Sequence, residues 1–192
     1  MNRIRVWRDA AGRGSRIWVA IGLSLLAAAV PGCLLVHSTE HHVRLNPDGS
    51  GEAILRLHNL RSDGVTDSAI ASDVARLVTA FNVSGAAMFE QNTRKIQGKQ
   101  FMIQGDTLGV EIRYTFKALA GVEGLRENAD NLFLAVGPDN EIVRSNGKVE
   151  PWINDLRRIV WPREATHIFY VIRERTPRKS TSIVRWYQAQ TR

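Results

Sequence analysis

The chain has 192 residues and one cysteine, Cys33. A lone thiol closes no internal disulfide and builds no multi-thiolate metal site. Histidine is scarce as well, with His37, His41, His42, His58 and His167 making the complete set. No G-x-S-x-G, H-E-x-x-H or P-loop pattern occurs. An enzyme needs a nucleophile or metal and a base gathered in one pocket, and no motif here announces either. Internal repeats and low-complexity tracts are missing too. Long apolar runs are limited to one: residues 17–30 pass without a charge. A bilayer span takes about 20 apolar residues, and no second run approaches that.

What is present begins with an address. Arg3, Arg5, Arg8, Arg13 and Arg16 stand against one acid, Asp9, ahead of the apolar run. A basic n-region followed by an apolar segment of about 7–15 residues is the pattern of a secretory signal. The run closes on Val30-Pro31-Gly32-Cys33. An aliphatic residue, a small one, glycine or alanine, and then cysteine is the order of a lipobox, so this segment resembles a bacterial lipoprotein signal. Val30, Gly32 and Cys33 match, and Pro31 departs from the usual small residue. The resemblance implies cleavage before Cys33, a diacylglycerol thioether on its sulfur and acylation of the new amino group, palmitate included. Several acyl chains, at about 0.8 kcal/mol per buried CH2, anchor stably where one does not. Two competing readings are an uncleaved anchor over residues 17–36, which Pro31 and Gly32 interrupt, and ordinary cleavage after Ala27-Ala28-Ala29. Leu34 follows the cysteine. In Gram-negative envelopes an aspartate there marks retention at the inner membrane, so the resemblance points to the outer membrane, facing the periplasm.

Removal of residues 1–32 takes five arginines and one aspartate, leaving 160 residues with 21 basic and 18 acidic side chains. The sequence pI of about 10.2 is thus partly a property of the signal. That length suffices for one domain with a sizeable core. Residues 151–192 carry nine basic and three acidic side chains, and residues 33–150 carry twelve and fifteen. The expected organisation is a signal peptide over 1–32, the acylated cysteine and a polar tether over 33–42, and one domain over 43–192 with a basic C-terminal tail.

Within the tether, His37, His41 and His42 with Glu40 have residue types that bind zinc or nickel. Zinc ligands need orienting partners, which a hydrated spacer lacks, so spacer is the stronger reading and no metal is expected. Val43-Arg44-Leu45 alternates, Asn46-Pro47-Asp48-Gly49-Ser50-Gly51 is a turn, and Ala53, Leu55 and Leu57 alternate again. Together they form a β-hairpin. The Asp48–Gly51 stretch lacks the length and carboxylates of a calcium loop. Thr66 or Asp67 caps a helix whose apolar face is Ile70, Val74, Leu77, Val78 and Phe81. Residues 100–104 and 110–116 read as strands, and residues 118–128 as a short helix or loop weakened by Gly121 and Gly124. Residues 132–136 and 141–144 flank Gly137-Pro138-Asp139-Asn140 as a second hairpin. Residues 158–161 and 166–175 are further strands, 176–179 a basic turn, and 182–187 an edge strand. The predicted class is α+β: a mainly antiparallel sheet with one long amphipathic helix and a short second helix packed on one face.

Three stretches resemble poorly characterised LppM-like envelope lipoproteins: Val43 through Gly51, Ser145-Asn146-Gly147, and Ile159-Val160-Trp161-Pro162 leading into Ile168 through Ile172. The resemblance implies an envelope protein that binds lipids or other envelope parts, and it supplies no catalytic residue. LppM-like chains often carry a C-terminal membrane segment, and no such run occurs in this sequence. The expected function is that of a non-enzymatic, lipid-anchored envelope protein binding an amphiphile. Its partners would be membrane lipid through Cys33 and an amphiphilic ligand or envelope protein; no nucleic acid and no cofactor are expected. The alternatives are a scaffold docking on an envelope complex and a histidine-dependent hydrolase. For the latter, His58 and His167 would have to meet, with Asp63, Asp106 or Glu164 nearby. Trp152, Trp161 and Trp186 with the basic tail would suit a membrane interface, although Trp161 sits in an apolar strand and reads as core.

Overall fold

Strict alternation of apolar and polar residues organises the chain into strands, because successive side chains point to opposite faces. The computed structural model describes residues 34–84, 93–153, 155–175 and 179–191. Cys33 and the whole targeting segment lie outside the described residues, as does most of the basic turn at 176–179. Two antiparallel sheets result. The larger runs in the order β3 (Arg94–Gln104), β4 (Thr107–Phe116), β2 (Gly51–Ser62), β1 (Leu34–Leu45), β10 (His167–Glu174), β7 (Asn140–Ser145), with β11 (Thr181–Ser182) pairing onto β2. The smaller runs β5 (Leu125–Glu127), β6 (Asn131–Val136), β9 (Arg157–Pro162), β8 (Lys148–Pro151).

The first hairpin forms where Pro47-Asp48-Gly49 predicts it. Gly49 takes φ +79 and its N–H bonds to the Asn46 carbonyl at 3.0 Å. Helix α1 (Asp67–Thr79) starts at Thr66, whose Oγ1 accepts from the Ala69 N–H at 3.2 Å. Ile70, Val74 and Leu77 are buried. A π-helical turn, Ala80–Ser84, follows. Among the described residues no helix is long and apolar enough to cross a membrane.

The core lies on one face of the large sheet. Val43, Ala53, Leu55, Ile112, Tyr114, Ile168 and Tyr170 meet Leu132, Leu134, Val136, Ile159 and Trp161 from the small sheet in one hydrophobic cluster, which Ile70, Val74, Leu77, Ile183 and Trp186 extend. Asn59, at φ +53, sits where the β2–β4 register shifts between Leu57 and Leu60. Asparagine tolerates this left-handed conformation. The bulge resets the alternation, so Leu57 and Leu60 are both buried despite their odd spacing.

Five expectations are corrected. The sheet is two sheets. The 132–136/141–144 hairpin does not form: β6 pairs with β5 and β9, and β7 pairs with β10, so the turn carries the chain from one sheet to the other. Residues 118–128 hold a 3-10 turn, Leu119–Gly121, and strand β5 instead of a short helix. Gly124 at φ +74 redirects the chain there. Residues 182–187 are not an edge strand beyond Ser182, because α2 (Val184–Gln190) takes over. Ile183, Val184 and Trp186 are buried there, and Gln190 Nε2 reaches the Ala71 carbonyl of α1 at 2.8 Å. Finally, residues 34–42 are not a tether. They are the first nine residues of β1, paired with β2 from Leu34 and, from Ser38 onward, with β10 on the other side as well.

Candidate binding site

Because β1 is a central strand, its histidines divide between two faces. His41 points into the core and is 2% exposed. Its Nδ1 lies 2.7 Å from the Tyr170 hydroxyl and its Nε2 2.8 Å from the Tyr114 hydroxyl. A neutral ring donates through one nitrogen and accepts through the other, so the two tyrosines use both. Burial, helped by the positive charges of Arg94 and His42, pulls the His41 pKa down to about 3. Burial pushes both tyrosine hydroxyls above their ordinary range. Glu123, from the loop before β5, completes this polar group. Burial lifts its carboxyl to about 7, against the opposing pull of Arg94. A cleft of about 110 Å³ between the sheets is lined by His41, Glu123, Tyr170, Thr39, Leu134 and Ile172, among others. Ligand pockets usually measure about 300–1,000 Å³, so this cleft is too small for one.

The opposite face of the large sheet carries a charged row set by strand register. Gln100 stands opposite Glu111, Glu111 opposite Arg56, and Arg56 opposite Glu40. Arg56 Nε donates to Glu111 Oε2 at 2.7 Å, and its Nη1 to Glu40 Oε1 at 2.7 Å. Arg113 Nε and Gln100 Nε2 donate to Glu111 Oε1 at 2.9 and 3.1 Å. His42 Nε2 donates to Glu40 at 2.8 Å, and His58 Nε2 lies 3.4 Å from its other oxygen. Burial raises the pKa of both carboxyls. The bonds from His42 and Arg56 on Glu40, and from Arg56 and Arg113 on Glu111, outweigh that and hold both below the usual value.

Beside this row lies a groove of about 550 Å³. Ile54 and Phe169 supply apolar surface in it. Arg44, Arg113, His42 and His167 line it, against the single carboxylate Glu52. Cross-strand pairing builds the arrangement: His42 stands opposite Ile54 and Phe169, and Arg44 opposite Glu52 and His167. The His42 ring packs on Phe169 with centroids 4.6 Å apart, and Arg144 lies over the same ring at 5.4 Å. Arg44 and Glu52 are both well exposed and 3.6 Å apart, a pairing worth at most about 1 kcal/mol. An incoming anion would therefore displace Glu52 from Arg44 at little cost.

The structure does not bring His58 and His167 together. They stand opposite Ser38 and Arg44 of β1, which at 3.3 Å per residue are about 20 Å apart along the strand. His58 has Glu40 beside it, not Asp63, Asp106 or Glu164, and His167 Nδ1 sits 3.1 Å from Thr166 Oγ1. His37, His41, His42 and Glu40 do not form a metal cage, since alternation sends them to different faces. Among the described residues no group of three or more His, Cys, Asp or Glu is placed to hold a metal ion. Trp161 is core, 2% exposed, with its Nε1 donating to Asn146 Oδ1 at 2.7 Å. Sequence reading missed Phe169, Ile54 and Arg113 as one surface, because only the pairing register puts them together. Their even-odd phase within each strand was the available signal. No family model, no curated protein and no solved structure matches this chain.

Proposed function

We propose that this chain is a lipid-anchored envelope protein, held by acylated Cys33, whose outer-sheet groove binds an amphiphile with an anionic head. The observation that carries the reading is the groove itself. Ile54 and Phe169 offer a strip for an alkyl chain, Arg44 and Arg113 offer positive charge and N–H donors for a carboxylate or phosphate, and the His42 and His167 rings line the same groove. Its volume of about 550 Å³ falls within the range usual for small-molecule sites. The lipobox-like Val30-Pro31-Gly32-Cys33 and the likeness to LppM-like lipoproteins support the envelope setting, at the outer membrane in a Gram-negative cell.

The reading is of a binder, not a hydrolase. His41 is neutral and engaged on both nitrogens, and His42 is engaged by Glu40. His58 and His167, the pair a hydrolase would need, stand about 20 Å apart along the sheet. The test is native mass spectrometry of the membrane-extracted protein with a fluorescent long-chain fatty acid titrated in. Saturable binding that Phe169→Asp and Arg113→Glu each weaken at least tenfold supports the groove. Binding unaffected by both substitutions overturns it.

A further inference from the structure

This inference rests on the acylation of Cys33 proposed above. Strand β1 begins at Leu34, the residue bonded to Cys33, and Leu34 is itself 7% exposed and paired with Ser62 of β2. Adjacent α-carbons are about 3.8 Å apart across a trans peptide. No flexible spacer separates the acylated residue from the packed sheet. An acyl-anchored domain normally wanders on its linker; here the anchor would fix which end of the sheet meets the bilayer.

That end has a definite composition. Ser62 is flanked by Leu34 on one side and Thr181 on the other. The β3–β4 turn reaches the same end, since Leu108 stands opposite both Leu60 and Ile103, and Ser182 Oγ donates to the Asp106 carbonyl. Among the described residues five large apolar side chains are exposed, and two belong here: Val65 at 96% and Ile103 at 46%. Val65 follows Ser62 by three residues and precedes the Thr66 cap of α1, so its backbone is tied at both sides. Nearby charges are mixed: Arg185 pairs with Asp67, and Arg173 with Glu141. This end has apolar contacts to offer and no single-sign field for anionic lipid.

We infer that the Leu34 end of the large sheet docks on the bilayer surface, with Val65 and Ile103 entering the interface beside the Cys33 acyl chains. The groove lined by His42 and Arg44 then stands away from the membrane. Eight to ten residues of β1, at 3.3 Å each, put it up to about 30 Å above the docking end. A ligand would reach it from the aqueous side, not by sliding out of the leaflet that holds the anchor.

The test uses the full acylated protein in phosphatidylcholine vesicles. Acylation removes the Cys33 thiol, so Val65→Cys, Ile103→Cys and Asp48→Cys each carry a single label site, and all three positions are exposed. An environment-sensitive fluorophore is attached and quenched with nitroxide-bearing phosphatidylcholine. Labels at 65 and 103 are expected to quench several-fold more than the label at 48, in the hairpin turn at the far end, and equally in high salt. Intact mass is read on the same samples. Acyl chains present with all three labels quenched alike would overturn the docking and leave the anchor standing. A mass without acyl chains would overturn the anchor, and the orientation with it.

Discussion

His41 and Glu123 titrate in opposite senses, and their opposition makes a sharp prediction about stability against pH. His41 falls from 6.5 to about 3 on folding. The unfolded chain therefore binds this proton first. The stability it confers is complete above pH 6.5 and is lost as pH drops toward 3, a total of about 5 kcal/mol at 1.36 kcal/mol per pKa unit. Glu123 rises from 4.5 to about 7. The folded chain holds this proton longer. Its penalty is absent below pH 4.5 and grows to about 3 kcal/mol by pH 7. Between pH 4.5 and 6.5 one slope cancels the other, so unfolding free energy should be nearly flat there and fall steeply only below 4.5. Replacing Glu123 with Gln removes the compensating slope and keeps the shape. Urea unfolding followed by tryptophan fluorescence at pH 8, 7, 6, 5 and 4 is the assay. Glu123→Gln should exceed the parent by up to about 3 kcal/mol at pH 8 and match it near pH 4.5, with a slope of about 1.4 kcal/mol per pH unit between 5 and 6. A parallel profile for the two proteins would refute the reasoning.

Three further outcomes follow from the packing. Glu111→Ala removes the acceptor for Arg56, Arg113 and Gln100 from a buried position; because Arg56 keeps Glu40 and some solvent, the loss should be about 2–3 kcal/mol by urea midpoint, and a loss below the resolution of the assay would contradict the row's cohesion. Leu57, fully buried at the centre of β2, should cost about 2–5 kcal/mol as alanine, checked by thermal unfolding. Gly51→Ala would place a Cβ 2.1 Å from the Arg44 carbonyl oxygen, a backbone overlap no rotamer relieves, so amide exchange should quicken across the β1–β2 hairpin.

Local signals were read well where one principle acted alone. The Pro47-Asp48-Gly49 turn, the Thr66 cap and the alternation of residues 110–116 all appear in the fold as the residues predict. The misreadings have a common physical source. Gly137 to Asn140 does turn the chain, but a turn does not dictate which strand each arm will pair with. β6 is drawn to the small sheet by burial of Leu132, Leu134 and Val136 against Ile159 and Trp161. Residues 183–187 have the branched and aromatic composition of a strand, and contact with α1 overrides that preference. Residues 34–42 looked polar enough to be a spacer because β1 presents Ser38, Glu40 and His42 on its outer face. His41 hides among them as a core residue only because Tyr114 and Tyr170 arrive from positions 73 and 129 residues away.

The sequence by itself determined an α+β chain of antiparallel strands, the place of its first hairpin and main helix, and the basic, apolar, cysteine-ended segment at its start. Those follow from periodicity, turn chemistry and charge, which are local properties. Only the tertiary structure decided that there are two sheets, that one histidine is sealed in the core, and that Ile54, Arg113 and Phe169 share a groove. Strand partnership is a long-range choice, settled by which apolar faces bury each other, and no short window of residues contains it.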